Sequence, residues 1–185
     1  MIFHNEPSFS LTSQVDSMTG WLKTISGPHH ETHEGNSYYV VYSALAADEA
    51  AISIRIKTPN SNVLDHTTIH VETALAATIQ MWMSTTKTHN ASNEIIPLNK
   101  DFNSSKLSGT QVCHTPGGSQ AGAARLTQYI GSATTNGKTN SGGVTSSRGE
   151  FILKANTAYL ITVTSRAAAN AMSIILDWYE HLQHI

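Results

Sequence analysis

"AISIRIK", residues 51–57, decides the fold. Ile52, Ile54 and Ile56 alternate with Ser53, Arg55 and Lys57, so one face is apolar and the other polar or charged. A period of two with one apolar face is that of a half-buried β-strand. The neighbours repeat it. "TTIHVET" (67–73) puts Ile69 and Val71 inward and His70 and Glu72 outward, and "ATIQMWM" (77–83) puts Ile79, Met81 and Met83 on one face and Gln80 and Trp82 on the other. Upstream, "SYYVVYSA" (37–44) is rich in β-formers, and "TPNSN" (58–62) reads as a turn.

Weaker strands are predicted around "EIIPL", "TQVCHT" and "ARLTQYI", and stronger ones at "EFILK", "AYLITVTS" and "MSIILDWYE". That makes about eight or nine strands separated by turn-like segments. No convincing amphipathic helix lies between them, which argues against a parallel sheet with crossover helices. The expected fold is all-β: an antiparallel β-sandwich, with a jelly roll as the economical arrangement. Residues 1–28 read as an N-terminal arm and 29–185 as one sandwich domain. Within the arm, "VDSMTGWLKTI" admits a short helix capped by Ser13 or Asp16, or an extended segment. Two stretches break the strand rhythm: the polar loop "NKDFNSSKLSG" (99–109) and the Gly/Ser/Thr/Asn-rich 131–149. The second is expected as a surface loop, and one that long in a compact domain is expected to be either functional or disordered.

The chain has 185 residues, a formal net charge of −2 and 13% charged residues, so it suits a single domain and has no basic footprint for nucleic acid. No polybasic or long apolar run suits a membrane, and the start "MIFHNEPSFSLTSQ" lacks the pattern of a signal peptide. Synthesis in a cytosol is expected. Two glycosylation-like triplets, at Asn90 and Asn103, are then read as chance. Cys113 is the only cysteine, which excludes an intramolecular disulfide and a multi-thiolate metal site; a buried thiol is its expected role. Cys113 and His114, adjacent on a strand, point to opposite faces and form no dyad.

The densest chemistry is "GPHHETHEG", residues 27–35. Zinc proteases place His-Glu-x-x-His on a helix; His30-Glu31-Thr32-His33 is one residue short. Pro28 and Gly35 bracket the stretch, and no helical pattern surrounds it. The four-residue spacing of His29 and His33 would matter only on a helix. On a strand, His29, Glu31 and His33 share a face, and they are the metal candidates. The alternative is a polar strand or loop leading into the sheet. "NGKT" (136–139) resembles the end of a phosphate-binding loop, but its glycine spacing is wrong and "NSGGVTSSRGE" cannot start the required helix. No Gly-x-Ser-x-Gly elbow occurs. Trp178 and Tyr179, in the closing "LDWYEHL", lie on opposite strand faces; with Trp82 they are the interface candidates.

"HHETHEGNSYYV", "ISIRIKTPN", "VETALAATIQMWMSTT", "IIPLNKDFNSS", "QYIGS" and, most strongly, "SSRGEFILKANTAYLITVTSRAAANAMSIILDWYEH" together resemble capsid decoration, or cement, proteins of tailed bacteriophages. The likeness runs from about residue 23 to the end; no single motif in it is chemically specific. It implies a β-sandwich structural protein, with no catalytic residues and no cofactor. It implies a trimer that binds the major capsid protein on the outer surface of the virion after synthesis in the host cytoplasm. It implies that "HHETHEG" is a structural lead-in to the first strand.

Two other classes suit a sandwich. A carbohydrate-binding or fibre-like adhesin module would present aromatics on its loops, yet Phe102 is the only aromatic in 99–109 and 131–149 has none. A metal-dependent barrel enzyme would need a tight histidine–carboxylate cluster, for which His66, His70 and Glu72 are the nearest match.

Overall fold

Ile52, Ile54 and Ile56 are buried and their alternates half-buried, as the period of two requires. The computed structural model describes residues 27–131 and 149–182. The expected helix within 1–26 and the loop segment 132–148 lie outside the described residues. A helix α1 (Gly27–His33) opens the chain, and eleven strands follow among the described residues. They are β1 (Ser37–Ala46), β2 (Ala51–Lys57), β3 (Val63–Thr73), β4 (Ala77–Met83), β5 (Glu94–Ile95), β6 (Leu98–Asn99), β7 (Gln111–His114), β8 (Leu126–Ile130), β9 (Glu150–Leu153), β10 (Ala158–Ser165) and β11 (Asn170–Leu182).

The strands form two antiparallel sheets packed into a sandwich. One has the order β6-β1-β11-β3-β9, the other β5-β7-β2-β10-β4-β8. The long strands are nested: β1 pairs with β11, β2 with β10, β3 with β9 and β4 with β8. Strand β11 also pairs with β3, and β10 with β4, so β11 is the central strand of its sheet and β10 one of the two central strands of the other. The inward residues of both sheets meet in one core that includes Val40, Ile54, Val71, Ile79, Ile161, Val163, Ile174, Leu176 and Trp178. Burying such aliphatic side chains stabilises a fold by roughly 1.5–3 kcal/mol each.

The stretch expected as a strand or loop is instead helix α1. Pro28 sits in its first turn, where the missing N–H costs nothing. Gly35 ends it in a left-handed conformation, φ +72°. The Asn36 amide donates to the Glu31 carbonyl at 2.8 Å and the Gly35 amide to the Thr32 carbonyl at 3.0 Å, a Schellman cap. The polar loop after β6 docks on this cap. Lys106 Nζ reaches the Glu34 carbonyl at 2.6 Å, and Asn99 Nδ2 donates to the Gly35 carbonyl at 2.8 Å.

Candidate interaction face

The two outer sheet faces differ. On the β7-β2-β10-β4 side, the chain covers itself. Segments 84–93 and 115–125 form a pad held by paired backbone bonds between Thr88 and Gly117. Arg55 Nε donates to the Lys87 carbonyl at 3.0 Å, Trp82 Nε1 to the Gly122 carbonyl at 3.3 Å, and the Asn90 amide approaches Cys113 Sγ at 3.5 Å. Cys113 is buried on this outward side, as a thiol against the pad. Leu160 also points outward on β10, beside Trp82 and Arg55, and is 1% exposed.

The outer face of β1-β11-β3-β9 carries no such pad among the described residues. Its side chains run in cross-strand rows fixed by register: Ser43, Ser173 and Glu72; Val41, Ile175 and His70; Tyr39, Asp177, Thr68 and Glu150. Leu45, opposite Ala171, is 71% exposed, Val41 42% and Ile152 62%. An open groove of about 510 Å³ lies at the Leu45 end, between Leu45, Ala171, Glu72 and Ala74. Exposed aliphatics on a face that also carries Ser, Thr and charged groups suit a contact surface better than a solvated one.

At the other end of this face is a polar cluster. His66 Nδ1 lies 3.1 Å from Glu150 Oε1 and 3.1 Å from the Tyr179 hydroxyl, and the His66 and Tyr179 rings stack at 4.7 Å. Burial, then the hydrogen bond and charge of Glu150, push the Tyr179 phenol up to about 12. The phenol therefore stays protonated. Beneath, in the interior, Asp65 and Glu180 are direct cross-strand partners. Glu180 accepts from Ser108 Oγ and the Gly109 amide, and Asp65 Oδ2 accepts from Thr110 Oγ1. Burial, against the opposing Thr110 bond and with the neighbouring Glu180 charge, raises the Asp65 carboxyl to about 7.

The structure divides the sequence candidates. His29 and His33 come together on α1, their Nε2 atoms 2.7 Å apart. Glu31 does not join them: it accepts from Asn36 Nδ2 at 2.8 Å and lies 4.0 Å from His30 Nδ1. The shared face expected on a strand is thus corrected, because helical spacing aligns residues four apart and turns the residue between them away. Among the described residues, no group of three or more His, Cys, Asp or Glu side chains converges to hold a metal. His70 and Glu72 pair at 3.4 Å, but outside the sandwich rather than within a barrel. Trp82 lies under the pad. Trp178 is 3% exposed in the core and offers no surface to a partner, whereas Tyr179 does lie on the uncovered face. Sequence reasoning missed Val41, Leu45 and Ile152. Val41 beside Val40, and Ile152 between Phe151 and Leu153, sit in apolar runs where alternation alone does not show which side faces solvent.

Comparison of the chain with family models, with curated proteins and with solved structures returns no match. Its site is therefore read from its own geometry. No helix among the described residues is long and apolar enough to cross a membrane.

Proposed function

We propose that this protein is a structural component of a tailed-phage virion: a decoration protein that binds the exterior of the capsid as a trimer and stabilises it. The observation that carries the reading is the asymmetry of the sandwich. One outer face is padded over β7, β2, β10 and β4 by the chain's own loops, with Tyr129 exposed beyond the pad on β8, and the other leaves Val41, Leu45 and Ile152 exposed in ordered cross-strand rows. The resemblance over most of the sequence supplies the partner, the major capsid protein. We further read the nested strand order as a jelly roll, the architecture of many capsid-associated domains. Repetition of a modest contact around a three-fold axis raises avidity without any single strong contact.

The test is addition of purified protein to capsids assembled without it. The expected results are co-sedimentation at a fixed ratio to capsid subunits and new density on the outer surface in electron micrographs. Failure to co-sediment, together with saturable binding to a glycan, would replace this reading with the adhesin alternative.

A further inference from the structure

The helix α1 places two imidazoles side by side on an exposed surface. The ring centroids of His29 and His33 are 4.6 Å apart, the planes are 27° apart, and the Nε2 atoms approach to 2.7 Å. A good N–H···N hydrogen bond needs the donor hydrogen, which lies in its own ring plane, to point at the acceptor nitrogen. With the ring centroids 4.6 Å apart, an Nε2–Nε2 separation of 2.7 Å turns each Nε2 toward the other ring, so one neutral imidazole donates to the other. A divalent cation drawn between the two nitrogens would take the place of that shared proton.

We propose that His29 and His33 together form a binding site for a borderline divalent transition-metal ion such as Zn²⁺, with water completing the coordination. Three observations carry it. The residues are four apart on a helix, the spacing that puts two histidines on one side of a zinc ion in helical metal sites. Both ring nitrogens are close enough to share an ion. Zn–N bonds of about 2.0–2.1 Å at a tetrahedral angle need the nitrogens roughly 3.3 Å apart. From 2.7 Å, that separation takes a few tenths of an ångström of movement by each ring as the ion displaces the hydrogen bond between them, and both side chains are exposed. Finally, the backbone beneath is fixed at its C-terminal end by the Gly35 cap, so the pair is presented as a unit. Imidazole nitrogens favour zinc, copper and nickel over magnesium or calcium. Glu31 and Glu34 flank the pair in sequence and add negative potential without ligating. The site is independent of the capsid-binding reading and holds whether or not that reading does.

The experiment is calorimetric titration of the full-length, untagged protein with zinc chloride at neutral pH, with melting measured in parallel. One saturable zinc ion per chain is expected, with a rise in melting temperature. His29→Asn and His33→Asn should each weaken binding about tenfold or more, while His30→Asn, on another side of the helix, leaves it unchanged. Circular dichroism should show the same fold in all variants, because every substituted side chain is exposed. Absence of saturable zinc binding overturns the proposal. So does binding that survives both His29→Asn and His33→Asn, or that His30→Asn removes.

Discussion

At the scale of single residues, two positions show how local chemistry sets the fold's tolerances. Gly35 holds φ +72°, and a Cβ there would overlap Ser104 Oγ. Gly35→Ala therefore meets both a conformational and a steric penalty. We expect a loss of about 1–2 kcal/mol from the left-handed backbone alone, read as a lower melting temperature. Adding Ser104→Gly should recover only the steric part, which a double-mutant cycle isolates. Equal stability of Gly35→Ala and wild type would show that the cap does not hold α1. Asp65 tests the interior. Its carboxyl titrates at about 7 in the fold against an ordinary 3.8, mainly because it is buried. Between those values the folded protein holds a proton that the unfolded chain has released. Stability therefore falls as pH rises from about 4 to 7 and stays lowered above 7. The full effect is on the order of 4 kcal/mol. Asp65→Asn keeps an oxygen for Thr110 and removes the charge. It should flatten this pH dependence and raise stability at pH 8 by about 2 kcal/mol, or roughly 4–8 °C in melting temperature. A variant destabilised more at pH 8 than at pH 4 would mean that the carboxylate, not the acid, is the form the fold prefers.

At the scale of elements, pairing predicts where the molecule opens. Strand β11 lies between β1 and β3, and β10 between β2 and β4, each with partners along almost its whole length. Hydrogen exchange should be slowest at Ile174, Leu176, Ile161 and Val163, and fastest in the two-residue β5 and β6 and the edges β8 and β9. Uniform protection across centre and edge would contradict this order. The same elements show what could be read in advance. "AISIRIK" and "TTIHVET" keep strict alternation because each has one face in the core, whereas "ATIQMWM" is a strand with Ile79 and Met81 inward but with Thr78 buried on the other side and Met83 exposed at its end. "AYLITVTS" alternates poorly because Leu160 is buried on the outward side, under a pad whose placement depends on distant segments. The helix α1 was legible but misread. Pro28 and Gly35 look like breakers in isolation, yet Pro in the first turn and Gly just past the end are start and stop signals. Its short length left too few residues to show a period of 3.6. The candidate face was less legible still. The pair Val40–Val41 blurs parity within β1, and only the fold shows that Val41 faces out while the opposite sheet is padded.

At the scale of the whole molecule, the two outer faces make opposite predictions, and the contrast tests the proposed role. Val41 and Leu45 are exposed, so Val41→Lys with Leu45→Lys removes little buried area. Surface changes of this kind cost about 0.5 kcal/mol or less, and the double variant should melt nearly as the wild type does. If the uncovered face is the contact surface, the same variant should lose capsid binding or fall apart from a trimer to single chains in light scattering. Charges placed in the centre of a desolvated contact have no partner there and cost far more than they do in water. Trp82 gives the converse. Its indole is half-buried under segment 115–125 and donates to Gly122. Trp82→Ala should destabilise the chain by about 2 kcal/mol by unseating the pad. The protein that remains folded should still assemble and bind, because that face is already occupied by the chain itself. Loss of binding in Trp82→Ala with full binding in the lysine variant would move the contact surface to the padded side. Loss in neither would place it at the strand edges or the loop ends.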